Sequence, residues 1–262
     1  MAKVAVSDGE IEYQDQGRGH PLIFVSGLGG VGRYWEPQLS AFSTRYRVVT
    51  YDQRGTGGSD RKQRTFSVDG MTSDLVGLMD ALGIEKAHIV GLSTGGAIGQ
   101  TLAVEHPQRL ARLVAVSTWT HCDPWFRRLF EARRVMYRQA GSELHAMFHP
   151  LWLYPPDYVN THDAEIDEER SKAVAGAPPV EVSIGRIDAI MAFDRRKDLA
   201  RITAPTLIVA ADNDYITPPY HAEALGRAIS GSKLAIMKGG GHSVSKTRPE
   251  EFNRLVLDFL AG

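Results

Sequence analysis

A series of short runs dense in branched apolar residues, at 22–25 (LIFV), 46–51 (YRVVTY), 87–90 (AHIV), 113–116 (LVAV) and 206–210 (TLIVA), constrains this chain more than any other feature. Runs without polar alternation suit strands buried on both faces, the condition of a parallel sheet covered by helices. Helical patterns lie between them. Residues 71–82 set Leu75, Leu78, Met79 and Leu82 on one stripe, and 96–106 is a small-residue stretch suited to tight packing on a sheet. This alternation predicts an α/β fold with a mainly parallel sheet, flanked by helices and joined by right-handed crossovers. Two opening antiparallel strands at 4–6 and 11–13 flank Asp8-Gly9, a pair that suits a tight hairpin turn. The rhythm stops at 122–195, where 126–139 is a basic helical stretch and 150–158 is rich in aromatics and prolines, and it resumes through 234–237 and 252–260. The expected organisation is a core of 1–121 and 196–262, with 122–195 inserted as a helical cap over the sheet end where such folds bind ligands.

Gly91-Leu92-Ser93-Thr94-Gly95 falls between one of these strands and the helix that follows it. A Gly-x-Ser-x-Gly at a strand-to-helix turn is the layout of a nucleophile elbow, in which a cramped backbone pushes the hydroxyl into open space. The pentapeptide alone is common, so its distant partners must carry the case. A nucleophilic serine needs a base to take its proton and an acid to orient and charge the base. Asp214 follows the run at 206–210, and His242 follows the run at 234–237 in a glycine-rich loop, Gly239-Gly240-Gly241-His242. Both lie at the edge of the sheet that carries Ser93. Asp212 is the rival acid; Asp214 is preferred because it stands four residues before Pro218. His88, His106, His121 and His221 lack a glycine-rich strand-end loop and are poorer bases. Backbone N–H groups aimed at a developing oxyanion are expected from Thr94, directly after the serine, and from Leu28 in the loop Ser26-Gly27-Leu28-Gly29-Gly30.

Composition narrows the partners. With 30 Lys plus Arg against 31 Asp plus Glu, the net charge of −1 supplies no long-range field for nucleic acid or an anionic membrane. A small, neutral or weakly charged substrate is the expected ligand, and a homodimer is compatible with the composition. Cys122 is the single cysteine, so no internal disulfide forms; without a sustained apolar N-terminal run, a cytoplasmic location is the default expectation. His145 and His149 are one helical turn apart, but Ala146 stands where a His-Glu-x-x-His zinc helix needs its glutamate. His121-Cys122-Asp123 are adjacent residues, which rarely converge on one ion. No metal site is expected, and the absence of a dinucleotide or phosphate-binding glycine motif argues against a nucleotide cofactor.

Over nearly its whole length the chain resembles the α/β-hydrolase superfamily, in which serine, acid and histidine follow one another in this order. Asp52-Gln53-Arg54-Gly55-Thr56-Gly57-Gly58-Ser59 matches that superfamily's Asp-x-Arg-Gly-x-Gly-x-Ser turn. The stretch 26–60 and Leu153-Tyr154-Pro155-Pro156-Asp157 resemble, more narrowly, the RutD group of pyrimidine degradation, associated with carbamate or aminoacrylate hydrolysis. The resemblance implies Ser93 as nucleophile, Asp214 as acid, His242 as base, Leu28 and Thr94 as oxyanion donors, no cofactor, and hydrolysis of a small ester, lactone or carbamate. It also admits a cofactor-free lyase or oxygenase, or a slow-hydrolysing ligand receptor, on the same fold. Ser26 replaces the superfamily's usual histidine before Gly27. Trp119, Trp125, Phe126, Trp152 and Tyr154 either line an acyl pocket or form the cap's own core. Arg127, Arg128, Arg133 and Arg134 either attract a carboxylate or form a solvated face. Trp35 belongs either near the oxyanion loop or to the packing.

Overall fold

The computed structural model describes residues 1–62 and 64–262. An eight-stranded sheet runs in the order β1-β2-β4-β3-β5-β6-β7-β8. Its strands are β1 (Ala2–Val6), β2 (Gly9–Gln16), β3 (His20–Val25), β4 (Tyr46–Tyr51), β5 (Ala87–Leu92), β6 (Leu110–Val116), β7 (Thr206–Ala211) and β8 (Lys233–Met237). β1 pairs with β2 and β2 with β4 in antiparallel fashion, and every later pairing is parallel. The opening hairpin turns at Ser7 and Asp8, one residue earlier than expected, and Gly9 is the first residue of β2, with φ +136°.

Burial explains the unbroken apolar runs. Ile23 and Val25 of β3 face one core cluster with Ile89, Leu113 and Ile208, whereas Leu22 and Phe24 face a second with Val90, Val114 and Val209. Helices α2 (Val68–Ala81), α3 (Thr94–Glu105) and α8 (Pro219–Ala228) seal the first face through Leu75, Leu78, Ile98, Leu102 and Leu225. Helices α1 (Glu36–Ser43), α9 (Val244–Thr247) and α10 (Pro249–Ala261) seal the second through Phe42, Val244, Phe252 and Val256. Trp35 belongs to this second core, fully buried with its ring 4.7 Å from Phe24, so its role is packing.

Between β6 and β7 the chain makes α4 (Pro124–Leu153), α5 (Pro156–Thr161), α6 (Asp163–Ala175) and α7 (Val180–Met191). α4 breaks at Gly141, whose φ of 68° and ψ of −161° lie outside the helical region, so the basic stretch forms only its first half. An isolated bridge between His121 and Asp194 closes the neck of the insertion. None of the described helices is long and apolar enough to cross a membrane.

Candidate active site

Ser93 occupies the single residue between β5 and α3, with φ 53° and ψ −112°. A β-carbon-bearing residue held there is strained, and the surrounding packing must enforce it. Two close approaches do so. A Cβ on Gly91 would lie 2.2 Å from the Gly95 carbonyl oxygen, and one on Gly95 would lie 2.0 Å from the carbonyl oxygen of Val25. Only glycine fits either position, which is the physical content of the pentapeptide. The Ser93 N–H donates to the Val116 carbonyl at 2.8 Å, and its own carbonyl accepts from Gly96, Ala97 and the Thr118 hydroxyl, so the turn is fixed on both sides.

Ser93 and His242 line one cavity of about 650 Å³ between the sheet edge and the inserted helices. No hydrogen bond joins Ser93 Oγ to His242 Nε2 in this arrangement; among the described residues the ring's partners are on its Nδ1 side. Nδ1 lies 2.9 Å from Asp214 Oδ2 and 3.1 Å from Oδ1. Asp214 also accepts from the N–H groups of Ile216 and Thr217 and from the Thr217 hydroxyl, all at 2.8–2.9 Å. Burial alone would raise this carboxyl; the adjacent His242 ring and the Thr217 donors outweigh it and hold Asp214 below the usual carboxylate value. An ionised acid on Nδ1 fixes the tautomer that leaves Nε2 as acceptor. Asp212 points elsewhere, accepting from the Gly239 N–H at 2.8 Å beside Lys238. With Asn213 Oδ1 bonded to the Gly241 N–H, it shapes the glycine loop that delivers His242.

Leu28 lines the cavity, and Gly27 backs onto Ser93 so closely that a Cβ there would sit 3.3 Å from the serine's own. Thr94 is fully buried behind Ser93 at the first position of α3. Among the described residues neither the Leu28 nor the Thr94 N–H has a partner. The Leu28 loop is braced from below. Gln53 N–H donates to the Gly30 carbonyl at 2.7 Å and Gln53 Nε2 to the Ser26 carbonyl at 2.7 Å, while Asp52 accepts from Gly32 N–H and Gly58 N–H. The Asp-x-Arg-Gly turn is thus a buttress for this loop.

Residues 20–150 match a family model described as alpha/beta hydrolase fold, and residues 190–262 a second described as TAP-like protein. A relative in Caulobacter sp. strain K31 is 40% identical over 242 residues, covering 92% of this chain and 90% of its own length. One in Azorhizobium caulinodans is 36% identical over 252 residues, covering 96% and 95%. The chain belongs to the α/β-hydrolase family. Both relatives carry the name carbamate hydrolase RutD. Among solved structures, the enol-lactonase of Burkholderia xenovorans LB400 is similar to this hydrolase with a TM-score of 0.92 at 27% identity, covering 100% of each chain.

Sequence reasoning missed Arg186 of α7. This fully buried arginine reaches from the inserted helices into the hydrolase core, where Nη2 donates to the Leu28 carbonyl at 3.0 Å and to Gln53 Oε1 at 2.6 Å, and Nη1 to the Arg54 carbonyl at 3.0 Å. The available signal was a charge at helical spacing from Val182, Ala189 and Ile190, on the stripe of α7 that must be buried. Of the aromatics singled out, only Tyr154 lines the cavity; Trp119 and Phe126 stack on each other in the core at 4.5 Å, and Trp125 lies outside with its Nε1 on the Tyr215 carbonyl. Trp152 packs on the Arg133 guanidinium.

His145 and His149 sit in the cavity wall, and among the described residues no group of three or more His, Cys, Asp or Glu is placed to hold a metal ion. Burial, reinforced by Arg133, pushes the His145 imidazole far down and His149 down to about 3. Unfolding returns His145 to its ordinary value of 6.5. Below that pH the unfolded chain binds the extra proton, so the folded state loses up to about 1.4 kcal/mol per pH unit through this ring. His145→Gln is therefore expected to flatten the fall in Tm between pH 6.5 and about pH 5. Parallel Tm curves for variant and wild type would refute a neutral buried His145.

Proposed function

We propose that the protein hydrolyses a small ester, lactone or carbamate through Ser93, His242 and Asp214, by way of a covalent acyl- or carbamoyl-enzyme. The observation that carries this reading is the His242–Asp214 pair, seated with its Nδ1 side satisfied in the wall of the cavity that also holds the strained Ser93. A RutD carbamate hydrolase and an enol-lactonase among the similar proteins support the same bond class.

In the first half-reaction Ser93 Oγ bonds to the carbonyl carbon while its proton passes to His242 Nε2, and the carbonyl electron pair moves onto oxygen. The N–H groups of Leu28 and Thr94 receive that charge, each donor being worth about 3 kcal/mol in such sites. The tetrahedral adduct collapses as His242 returns the proton to the leaving group. Water then repeats the sequence on the acyl or carbamoyl carbon and releases Ser93. Asp214 stays ionised throughout and stabilises the imidazolium. Residues 122–195 act as the cap that shapes the cavity and excludes water.

The deciding experiment pairs labelling with a substrate panel. A serine-directed phosphonate is expected to add one adduct at Ser93, located by mass spectrometry, and at least one of a short-chain aryl ester, an enol-lactone and a carbamate is expected to turn over. No adduct together with no turnover of any of the three would reject the reading. A clear win for the carbamate would place the chain functionally with the RutD proteins.

A further inference from the structure

Of the four arginines on the first half of α4, one departs from surface behaviour. Arg127 pairs with Glu131 and Arg134 with Asp188, both in exposed positions, and Arg128 is exposed. Arg133 is 2% exposed and lines the cavity that holds Ser93 and His242. Its guanidinium lies 4.7 Å from the Phe130 ring centroid and 5.0 Å from that of Trp152. Nε donates to His145 Nε2 at 3.2 Å. Among the described residues no carboxylate pairs with it, and Nη1 and Nη2 have no hydrogen-bond partner. The contrast with Arg186 is direct, because that equally buried arginine spends its donors on two carbonyls and an amide oxygen.

A buried cation without a counter-charge is costly, and aromatic faces recover only part of the lost hydration. Burial brings the Arg133 guanidinium down to about 10, which leaves it charged at neutral pH. His145 and His149 are uncharged there and cannot compensate. Lys246, another cation lining this cavity, is already paired with Glu169 and donates to Tyr154 Oη. With Phe130 and Trp152 against it and Nε bonded, the guanidinium keeps its Nη edge, and a planar two-donor edge matches one carboxylate.

We propose that Arg133 is a carboxylate-binding subsite of the cavity, and that the substrate carries an anionic carboxylate remote from the carbonyl that Ser93 attacks. This rests on the hydrolase reading above and narrows it to monoacid esters, lactones or carbamates. The charge balance of the whole chain conceals this, because one desolvated cation selects an anion at short range without any net field.

The test compares mono-4-nitrophenyl succinate with its neutral methyl ester in wild type, Arg133→Met and Arg133→Lys. Wild type is expected to favour the acid in kcat/KM by at least about tenfold. The acid-to-methyl-ester ratio is expected to fall about a hundredfold in Arg133→Met, chiefly through KM, with Arg133→Lys intermediate. Succinate is expected to raise the Tm of wild type and not of Arg133→Met. A wild-type preference for the neutral ester, or an unchanged ratio in Arg133→Met, overturns the proposal. Should Arg133→Met fail to fold, Arg133→Lys and the wild-type response to succinate decide, and no rise in wild-type Tm overturns it. Failure of every hydrolysis with the succinate-dependent Tm rise intact would sink the hydrolase reading and leave the subsite standing.

Discussion

Ser93→Ala is expected to lower kcat toward a short-chain aryl ester by about four to six orders of magnitude, with KM little changed. The size follows from what the side chain supplies. No other residue occupies the turn between β5 and α3, where φ is 53° and glycine neighbours bring Val25 and the start of α3 within contact of the backbone. Alanine tolerates the same backbone as serine, so the fold and the cavity persist and the loss reads chemistry rather than stability. A residual rate about 10³ above the uncatalysed reaction is expected from the remaining N–H donors and binding. Retention of more than about a tenth of wild-type kcat would show that the imidazole activates water or substrate directly, and would favour the lyase-like alternative.

Asp214→Asn is expected to reduce kcat by about 10⁴, whereas Asp212→Asn stays within a few-fold of wild type. The two carboxylates are two residues apart, and the sequence favoured Asp214 over Asp212 only through its spacing to Pro218. In space they do different work. Asp214 is buried with four donors converging on it, and only it reaches His242 Nδ1. Asp212 braces Gly239 in the loop and pairs with Lys238 in solvent. An asparagine at 214 still fits, but its amide can turn an N–H toward Nδ1 and stabilise the wrong tautomer, which removes the acceptor on Nε2. Equal losses in the two variants would refute the assignment of Asp214 to the imidazole.

Much of this was legible in the chain because the relevant signals are local. Strands buried on both faces write themselves as unbroken apolar runs, and each of the runs singled out became a strand of the sheet. The elbow was legible because its glycines are demanded by contacts with Val25 and Gly95 that no other residue survives. The insertion between β6 and β7 was legible as an interruption of the rhythm but not as four helices. α6 is charged nearly all round, with only Ile166 buried, so it has no apolar stripe to read. α1 and α8 are short and open on proline-containing turns, which read as loop. Arg186 was signalled only by its place on the buried stripe of α7, and Arg133 stayed open between an anion site and a solvated face. A buried arginine and a solvated one have the same letter, and only the partners decide between a brace, an anion site and a surface charge.

The grip of Arg186 on Leu28 and Gln53 bears on modular exchange within this family. Its helix belongs to the insertion, yet its donors terminate on core backbone and on the glutamine that buttresses the loop beside Ser93. A chimera that transplants the lid of another member to alter selectivity, without an arginine at this position, would unseat the carbonyl of Leu28 and with it the amide proposed to meet the oxyanion. Through this one side chain the inserted helices and the loop beside Ser93 are mechanically joined.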